Sequence, residues 1–148
     1  MGLKLPALRF EAEAFQLGKE KILGRQSAGA AFLRAELDLP ELTELTGYGP
    51  SRAAMQAFGQ IVGANRRDVA AKWLAPGASD GLAAQGMVHF PDPVIGEQAR
   101  QRLGAGAAAW SISGVTHTIS SLGAMRAIAD LATAPLMEWD GVILTSEA

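Results

Sequence analysis

Hydroxyl and imidazole side chains are concentrated in one short stretch of the sequence, SGVTHTISS at residues 113–121. The stretch follows the apolar run AAAWSIS at 107–113, which is typical of a buried strand. Neutral donors and acceptors pair well with sugar hydroxyls, and an imidazole titrating near neutrality could shuttle a proton or orient a phosphate oxygen. We therefore predict a loop at the carboxyl end of a strand, with His117 as the catalytic residue and with Ser113, Gly114, Thr116 and Thr118 as substrate-binding residues. The alternative is that the hydroxyls cap the next helix and that His117 is a structural polar residue.

A second candidate site is GRQSAG at residues 24–29. Glycines let a backbone approach a ligand closely, an arginine adds a forked cationic donor, and the first N–H groups of a helix can face an anion. We predict a loop here, ahead of a helix over 26–37, in which Gly24, Arg25, Ser27 and Gly29 bind substrate. The segment matches neither a P-loop nor a dinucleotide fingerprint, and the alternative is a glycine-bearing turn that caps the helix.

Other residues with catalytic or metal-binding chemistry form no recognisable pattern. His89 and Asp92 have no third metal ligand near them in the sequence, so we predict no metal site and interpret His89 as structural. There is no Gly-x-Ser-x-Gly nucleophile elbow and no cysteine, which excludes disulfides and a cysteine nucleophile. Glu138 and Asp140 are interpreted as parts of a solvated turn.

The elements that must position these residues alternate along the chain. The patterning predicts strands at 8–14, 42–48, 86–90, 107–113 and 142–144, and helices at 26–37, 50–63, 95–103 and 122–132, with a helical turn or two in 68–75. Pro50 is predicted at the first position of its helix and Gly63 at the end of that helix. This order predicts an α/β fold with a Rossmann-like parallel sheet and helices on both faces.

Composition and charge restrict the class of protein. Of 148 residues, 49% are hydrophobic and 19% charged, which is enough apolar material for one core. The net charge of −2 and the absence of a basic cluster argue against nucleic acid as a partner. The N-terminus does not have the pattern of a signal peptide, and no window has about 20 continuous apolar residues, so a cytoplasmic protein is predicted.

The C-terminal segment AWSISGVTHTISSLGAMRAIADLATAPLMEWDGVILTSEA (109–148) resembles the N-terminal domain of bacterial family 4 glycosyltransferases, retaining enzymes of the GT-B fold. In that family a strand leads to a histidine-bearing loop, then a helix, then a strand of the form Asp-x-hydrophobic-hydrophobic-x-x-Ser. His117 takes the loop position here, and Asp140 and Ser146 bracket the strand. The segment GRQSAGAAFLRA is similar to the family's glycine-rich turn near the acceptor and phosphate site.

The resemblance implies that residues 1–148 form a GT-B N-terminal, acceptor-side domain. Thr145-Ser146-Glu147 looks like the start of a helix, so the domain is expected to be incomplete at its C-terminal end, with the nucleotide-sugar domain absent. The whole protein would move a sugar from a nucleotide-sugar donor to a sugar or lipid-linked acceptor, without an obligatory metal or cofactor. A lipid-linked acceptor would be compatible with peripheral membrane contact, and this part alone is expected to be inactive.

Two other classes of function remain open from the residues. One is a non-catalytic α/β module of the receiver or flavodoxin type that binds a ligand or a partner. That class would need a cluster of acidic residues that binds a magnesium ion, or a phosphate-binding loop on the first strand. The other is a small enzyme complete in itself, which would need a nucleophile or a phosphate loop.

Overall fold

The computed structural model describes residues 3–11, 24–116 and 120–145. Within them the strands form a six-stranded, all-parallel sheet in the order β3-β2-β1-β4-β5-β6. The strands are β1 (Ala7–Arg9), β2 (Glu44–Tyr48), β3 (Ala70–Leu74), β4 (Met87–His89), β5 (Ser111–Thr116) and β6 (Gly141–Leu144). The helices are α1 (Gly24–Leu37), α2 (Arg52–Asn65), α3 (Ser79–Gln85), α4 (Gly96–Arg102) and α5 (Leu122–Asp130). The predicted α/β, Rossmann-like class is confirmed.

Apolar cores cover both faces of the sheet because successive strand residues point to opposite faces. Leu8 belongs to a core formed with α1 and α2, here called the α1–α2 face. Its neighbour Ala7 belongs to a second core formed with α3 and α4, here called the α3–α4 face. The two layers of helices therefore enclose the sheet, as the strand-and-helix alternation predicts.

The strand order reverses direction once, between β1 and β4. The chain runs from β1 to β2 to β3 on one side of the sheet, then crosses back through α3 to β4 and continues to β5 and β6. Every strand is parallel, so the connections that follow β1 and β4 leave from the same edge of the sheet and diverge. We call this place, the carboxyl ends of β1 and β4, the switch point.

The prediction of helical turns in 68–75 was wrong, because this segment contains strand β3. Its five residues pair in parallel with β2 from Glu44 to Tyr48. Trp73 packs so closely over Gly47 that a Cβ at that glycine would lie 2.6 Å from the Trp73 ring. Residues 70–74 form a strand because they pair with β2, which is distant in the sequence and is not indicated by any local pattern.

Several boundaries also differ from the predictions. Pro50 lies before the N-cap Ser51, whose Oγ accepts a hydrogen bond from the Ala54 N–H at 3.2 Å. Gly63 lies inside α2, which ends at Asn65. The first strand ends at Arg9, and residues 12–14, which were predicted to continue it, lie outside the described residues. Helix α3 was not predicted.

Strand β6 is less buried than its apolar residues predict. Ile143 is 45% exposed and Leu144 is 72% exposed, because β6 is an edge strand of the sheet. None of the helices in the described part of the chain has the length and apolar character needed to cross a bilayer.

Candidate functional site

The switch point is the place in this fold where ligands usually bind. Arg9 ends β1 and His89 ends β4, and the two strands pair directly, with Leu8 opposite His89. Helix α1 connects the carboxyl end of β1 to the amino end of β2, so its N-terminus lies at the carboxyl edge of the sheet. The switch point is therefore bounded by the end of β1, the end of β4 and the first turn of α1.

The segment GRQSAG is not the predicted loop ahead of a helix, because α1 already begins at Gly24. The backbone at Gly24, Arg25 and Ser27 is helical, and the side chains of residues 24–28 lie outside the described part of the structure. Gly29 lies in the second turn. Ala28, Ala30 and Ala31 are strong helix formers, whereas a glycine in a helix interior costs about 1 kcal/mol relative to alanine. The segment therefore forms the first described turns of α1 and not a loop ahead of it.

The segment SGVTHTISS is also divided differently from the prediction. Ser113, Gly114 and Thr116 belong to β5, while His117 and Thr118 lie outside the described residues. The predicted strand started too early, because residues 107–109 form a turn after Gly106, whose φ is +113°. Strand β5 also ends at Thr116, three residues beyond the predicted end at Ser113.

The three described substrate-binding candidates of this segment, Ser113, Gly114 and Thr116, have structural contacts. The Thr116 hydroxyl donates to the Ile143 carbonyl at 3.5 Å. A Cβ at Gly114 would lie 2.6 Å from the Asp92 carbonyl oxygen, so this glycine lets the loop after β4 pack against β5. The Ser113 Oγ lies 2.9 Å from His89 Nδ1. Further along, Ser121 caps α5, its Oγ accepting from the Ala124 N–H at 3.1 Å, as the capping alternative predicts.

His89 lies on the α1–α2 face of the sheet and is 3% exposed. Its ring stacks on Phe32 of α1, with ring centroids 4.0 Å apart and planes at 24°. Its Nε2 has no hydrogen-bond partner among the described residues. Burial lowers the pKa of His89 to about 4, so the imidazole is neutral at pH 7. This burial agrees with the interpretation of His89 as structural.

Sequence reasoning missed Glu36, which is 7% exposed and lies one helical turn after Phe32. Burial raises the pKa of its carboxyl group to about 8, so Glu36 is protonated at neutral pH. One of its oxygens, Oε2, is buried without a partner among the described residues. A signal was present, because Glu36 falls on the same apolar stripe as Leu33 and Leu37.

Arg9 was also missed, and it places a cation at the switch point. Its guanidinium lies 5.6 Å from the centroid of the Tyr48 ring and pairs with Glu11 at 3.0 Å. Tyr48 belongs to the α3–α4 face, so Arg9 lies on that side of the sheet. The alternation of residues 8–14 marks Arg9 as polar, but it does not show that a neighbouring strand supplies an aromatic platform.

The interpretation of Asp140 as part of a solvated turn was wrong. Asp140 is buried and accepts two hydrogen bonds from Arg102, at 2.6 and 2.7 Å. It also accepts from the Ile112 and Met137 N–H groups, each at 2.8 Å. Burial would raise the pKa of Asp140, but these hydrogen bonds outweigh it and hold the pKa below its usual value. The pair joins α4 to the segment before β6 and has a structural role.

A groove of about 320 Å³ lies between α1 and α2, away from the switch point. Arg66 at this groove donates to the carbonyl groups of Leu37 and Leu39, at 2.8 and 3.0 Å. These hydrogen bonds satisfy carbonyl groups at the C-terminal end of α1. We therefore interpret Arg66 as a structural residue and the groove as a gap between packed helices.

In the part of the chain that the structure describes, no group of three or more His, Cys, Asp or Glu side chains is placed to hold a metal ion. The chain matches no protein-family model, no curated protein and no solved structure. These comparisons therefore show no family for the chain.

Proposed function

We propose that this chain is the acceptor-side half of a retaining glycosyltransferase, which moves a hexosyl group from a nucleotide sugar to a sugar or lipid-linked acceptor. The observation that supports this most is the strand order, all parallel with one reversal between β1 and β4. Doubly wound sheets of this order bind phosphate-bearing ligands at the switch point. Because one fold supports many functions, the proposal also depends on the resemblance of residues 109–148.

The electrostatics of the switch point suit an anionic group of a substrate. The N-terminal end of a helix carries a partial positive charge, and the first turn of α1 contains Arg25 and no acidic residue. Arg9 adds a second cation at the end of β1, held against Tyr48 and paired with Glu11 at 3.0 Å. A phosphate of the donor or of the acceptor would be stabilised by the helix end, and by Arg9 where the phosphate replaces Glu11 as its partner.

His117 is the proposed catalytic residue of this half. It directly follows Thr116, the last residue of β5, and β5 pairs with β4. The other histidine, His89, is buried and neutral, so it cannot supply a charged imidazolium at neutral pH. In the proposal His117 orients or protonates a substrate oxygen, Ser113, Gly114 and Thr116 shape the strand that carries it, and a second domain binds the nucleotide.

The test is a transfer assay on the full-length product of the gene, with UDP-, GDP- and ADP-hexoses as donors. We expect transfer with retention of anomeric configuration. The His117→Ala variant should lose at least about 100-fold in kcat/KM, since general acid–base groups contribute about 10²–10⁴. Gln56→Ala, an exposed residue of α2, is the control and should retain activity. Full activity of His117→Ala would remove the assigned role. Ligand binding without transfer from any donor would instead support a non-catalytic module.

A further inference from the structure

A separate cavity of about 290 Å³ lies on the α3–α4 face of the sheet. Three aromatic rings and three uncharged polar side chains line it, namely Tyr48, Phe90, Trp110, Ser79, Gln98 and Gln101. Apart from Tyr48, on which Arg9 packs, no residue named for the glycosyltransferase site lines this cavity. It is therefore a different place from the first turn of α1 and the loop after β5.

The aromatic rings of the cavity are fixed before any ligand binds. Tyr48, Phe90 and Trp110 are each no more than 6% exposed. Tyr48 and Phe90 meet edge to face, with centroids 6.2 Å apart and planes at 79°. The Arg9 guanidinium packs on the Tyr48 ring and holds it in place. The small part of each ring that faces the cavity is therefore rigid, and it loses little entropy when a ligand contacts it.

The polar side chains come from the two helices that border the cavity. Gln98 and Gln101 are three residues apart on α4, so they lie on neighbouring positions of one helix face. Ser79 is the first residue of α3 on the other side. Helices α3 and α4 have only seven residues each, and the space between them stays open. Amide and hydroxyl groups at this border can both donate and accept hydrogen bonds.

We propose that this cavity binds an uncharged sugar ring, either a free monosaccharide or the ribose of a nucleoside. The C–H surface of such a ring packs on aromatic side chains, while its hydroxyls pair with the amides and the serine. A charged group is disfavoured, because none of the six lining side chains named above carries a charge to replace its hydration. The volume lies near the lower end of the roughly 300–1,000 Å³ typical of ligand sites, which suits one ring and not an oligosaccharide.

The test is a titration of the ¹⁵N-labelled chain, followed by amide and indole chemical shifts. D-glucose, D-galactose and D-mannose form one arm, and uridine forms the other. We expect saturable shifts at Gln98, Gln101 and the Trp110 indole with at least one compound. Binding of a hexose would identify a free-sugar site, and binding of uridine alone would identify a nucleoside site.

Three variants distinguish this cavity from non-specific binding. Gln98→Ala removes one amide and should weaken binding about fivefold, as the loss of a single hydrogen bond does. Ser79→Phe fills the border of the cavity and should abolish binding. Gln60→Ala, an exposed glutamine of α2, is the matched control and should bind as the wild type does. If the spectrum of Ser79→Phe loses its dispersion, that variant is unfolded, and the result for Gln98→Ala alone tests the proposal.

Absence of saturable shifts with every compound would overturn the proposal. So would shifts that Gln98→Ala and Ser79→Phe leave unchanged. The transfer assay tests His117, whereas the titration tests the cavity. A negative result for the glycosyltransferase proposal therefore does not decide the cavity proposal, and the reverse also holds.

Discussion

Glu36 and His89 should determine how the free energy of unfolding depends on pH. Both are buried, and burial raises the pKa of Glu36 from 4.5 to about 8 and lowers that of His89 from 6.5 to about 4. The contribution of Glu36 to the free energy of unfolding is fully present below pH 4.5. It is lost as the pH rises toward 8, because the Glu36 carboxyl ionises first in the unfolded chain. The contribution of His89 is fully present above pH 6.5 and is lost as the pH falls toward 4.

Between pH 4.5 and 6.5 the contributions of Glu36 and His89 to the free energy of unfolding change in opposite directions. Above pH 6.5 only the contribution of Glu36 still changes. One pKa unit corresponds to about 1.4 kcal/mol, so each contribution changes the unfolding free energy by that amount per pH unit within its range. They nearly cancel from pH 4.5 to 6.5. Between pH 6.5 and 8 only the Glu36 contribution changes, and its loss lowers the free energy of unfolding of the wild type by about 2 kcal/mol.

The perturbation is Glu36→Gln, which keeps the size of the side chain and removes its titration. We expect the variant to hold its stability between pH 6.5 and 8, where the wild type declines, and to lose about 3 kcal/mol from pH 6.5 to 4 through His89. Urea unfolding followed by tryptophan fluorescence measures this, because Trp73 packs in the α1–α2 core. Glu41→Gln, an exposed residue, is the control. Parallel decline of Glu36→Gln and wild type above pH 6.5 would show that the titration of Glu36 does not cause the loss of stability.

Further predictions concern the buried ion pair of Asp140 with Arg102 and the close packing of Gly114. Asp140→Asn should reduce the free energy of unfolding by about 3–5 kcal/mol, because it leaves the buried Arg102 charge without its counter-ion, and a loss under 1 kcal/mol in urea unfolding would contradict this. Gly114→Ala should cost about 1–3 kcal/mol, because the new Cβ meets the Asp92 carbonyl. The same substitution at Gly123, where a Cβ meets nothing within 4 Å, should not destabilise, and equal losses at the two glycines in urea unfolding would contradict the steric explanation.

The alternation of strands and helices could be predicted because it depends on local patterns. Helix α2 has its apolar residues at helical spacing, and α5 starts at a serine cap that the sequence contains. Strand β3 could not be predicted in this way. Its strand state depends on pairing with β2, which lies more than 20 residues earlier in the chain.

The candidate site could be predicted less well than the fold. Of the residues named from the sequence, Ser113, Gly114 and Thr116 lie within β5 and have structural contacts there. Asp140 is buried because Arg102, 38 positions earlier, folds back onto it. Contacts of that kind follow from topology, and no spacing in the sequence indicates them.

The most direct test of the account is to map where a phosphate-bearing sugar binds. The ¹⁵N-labelled chain is titrated with glucose 1-phosphate and with a nucleotide sugar. If the switch point binds phosphate, saturable shifts will appear at the ends of β1 and β4 and in the first turn of α1. Saturable shifts confined to the opposite edge of the sheet, near Met87 and Ser111, or no saturable shift at all, would contradict it.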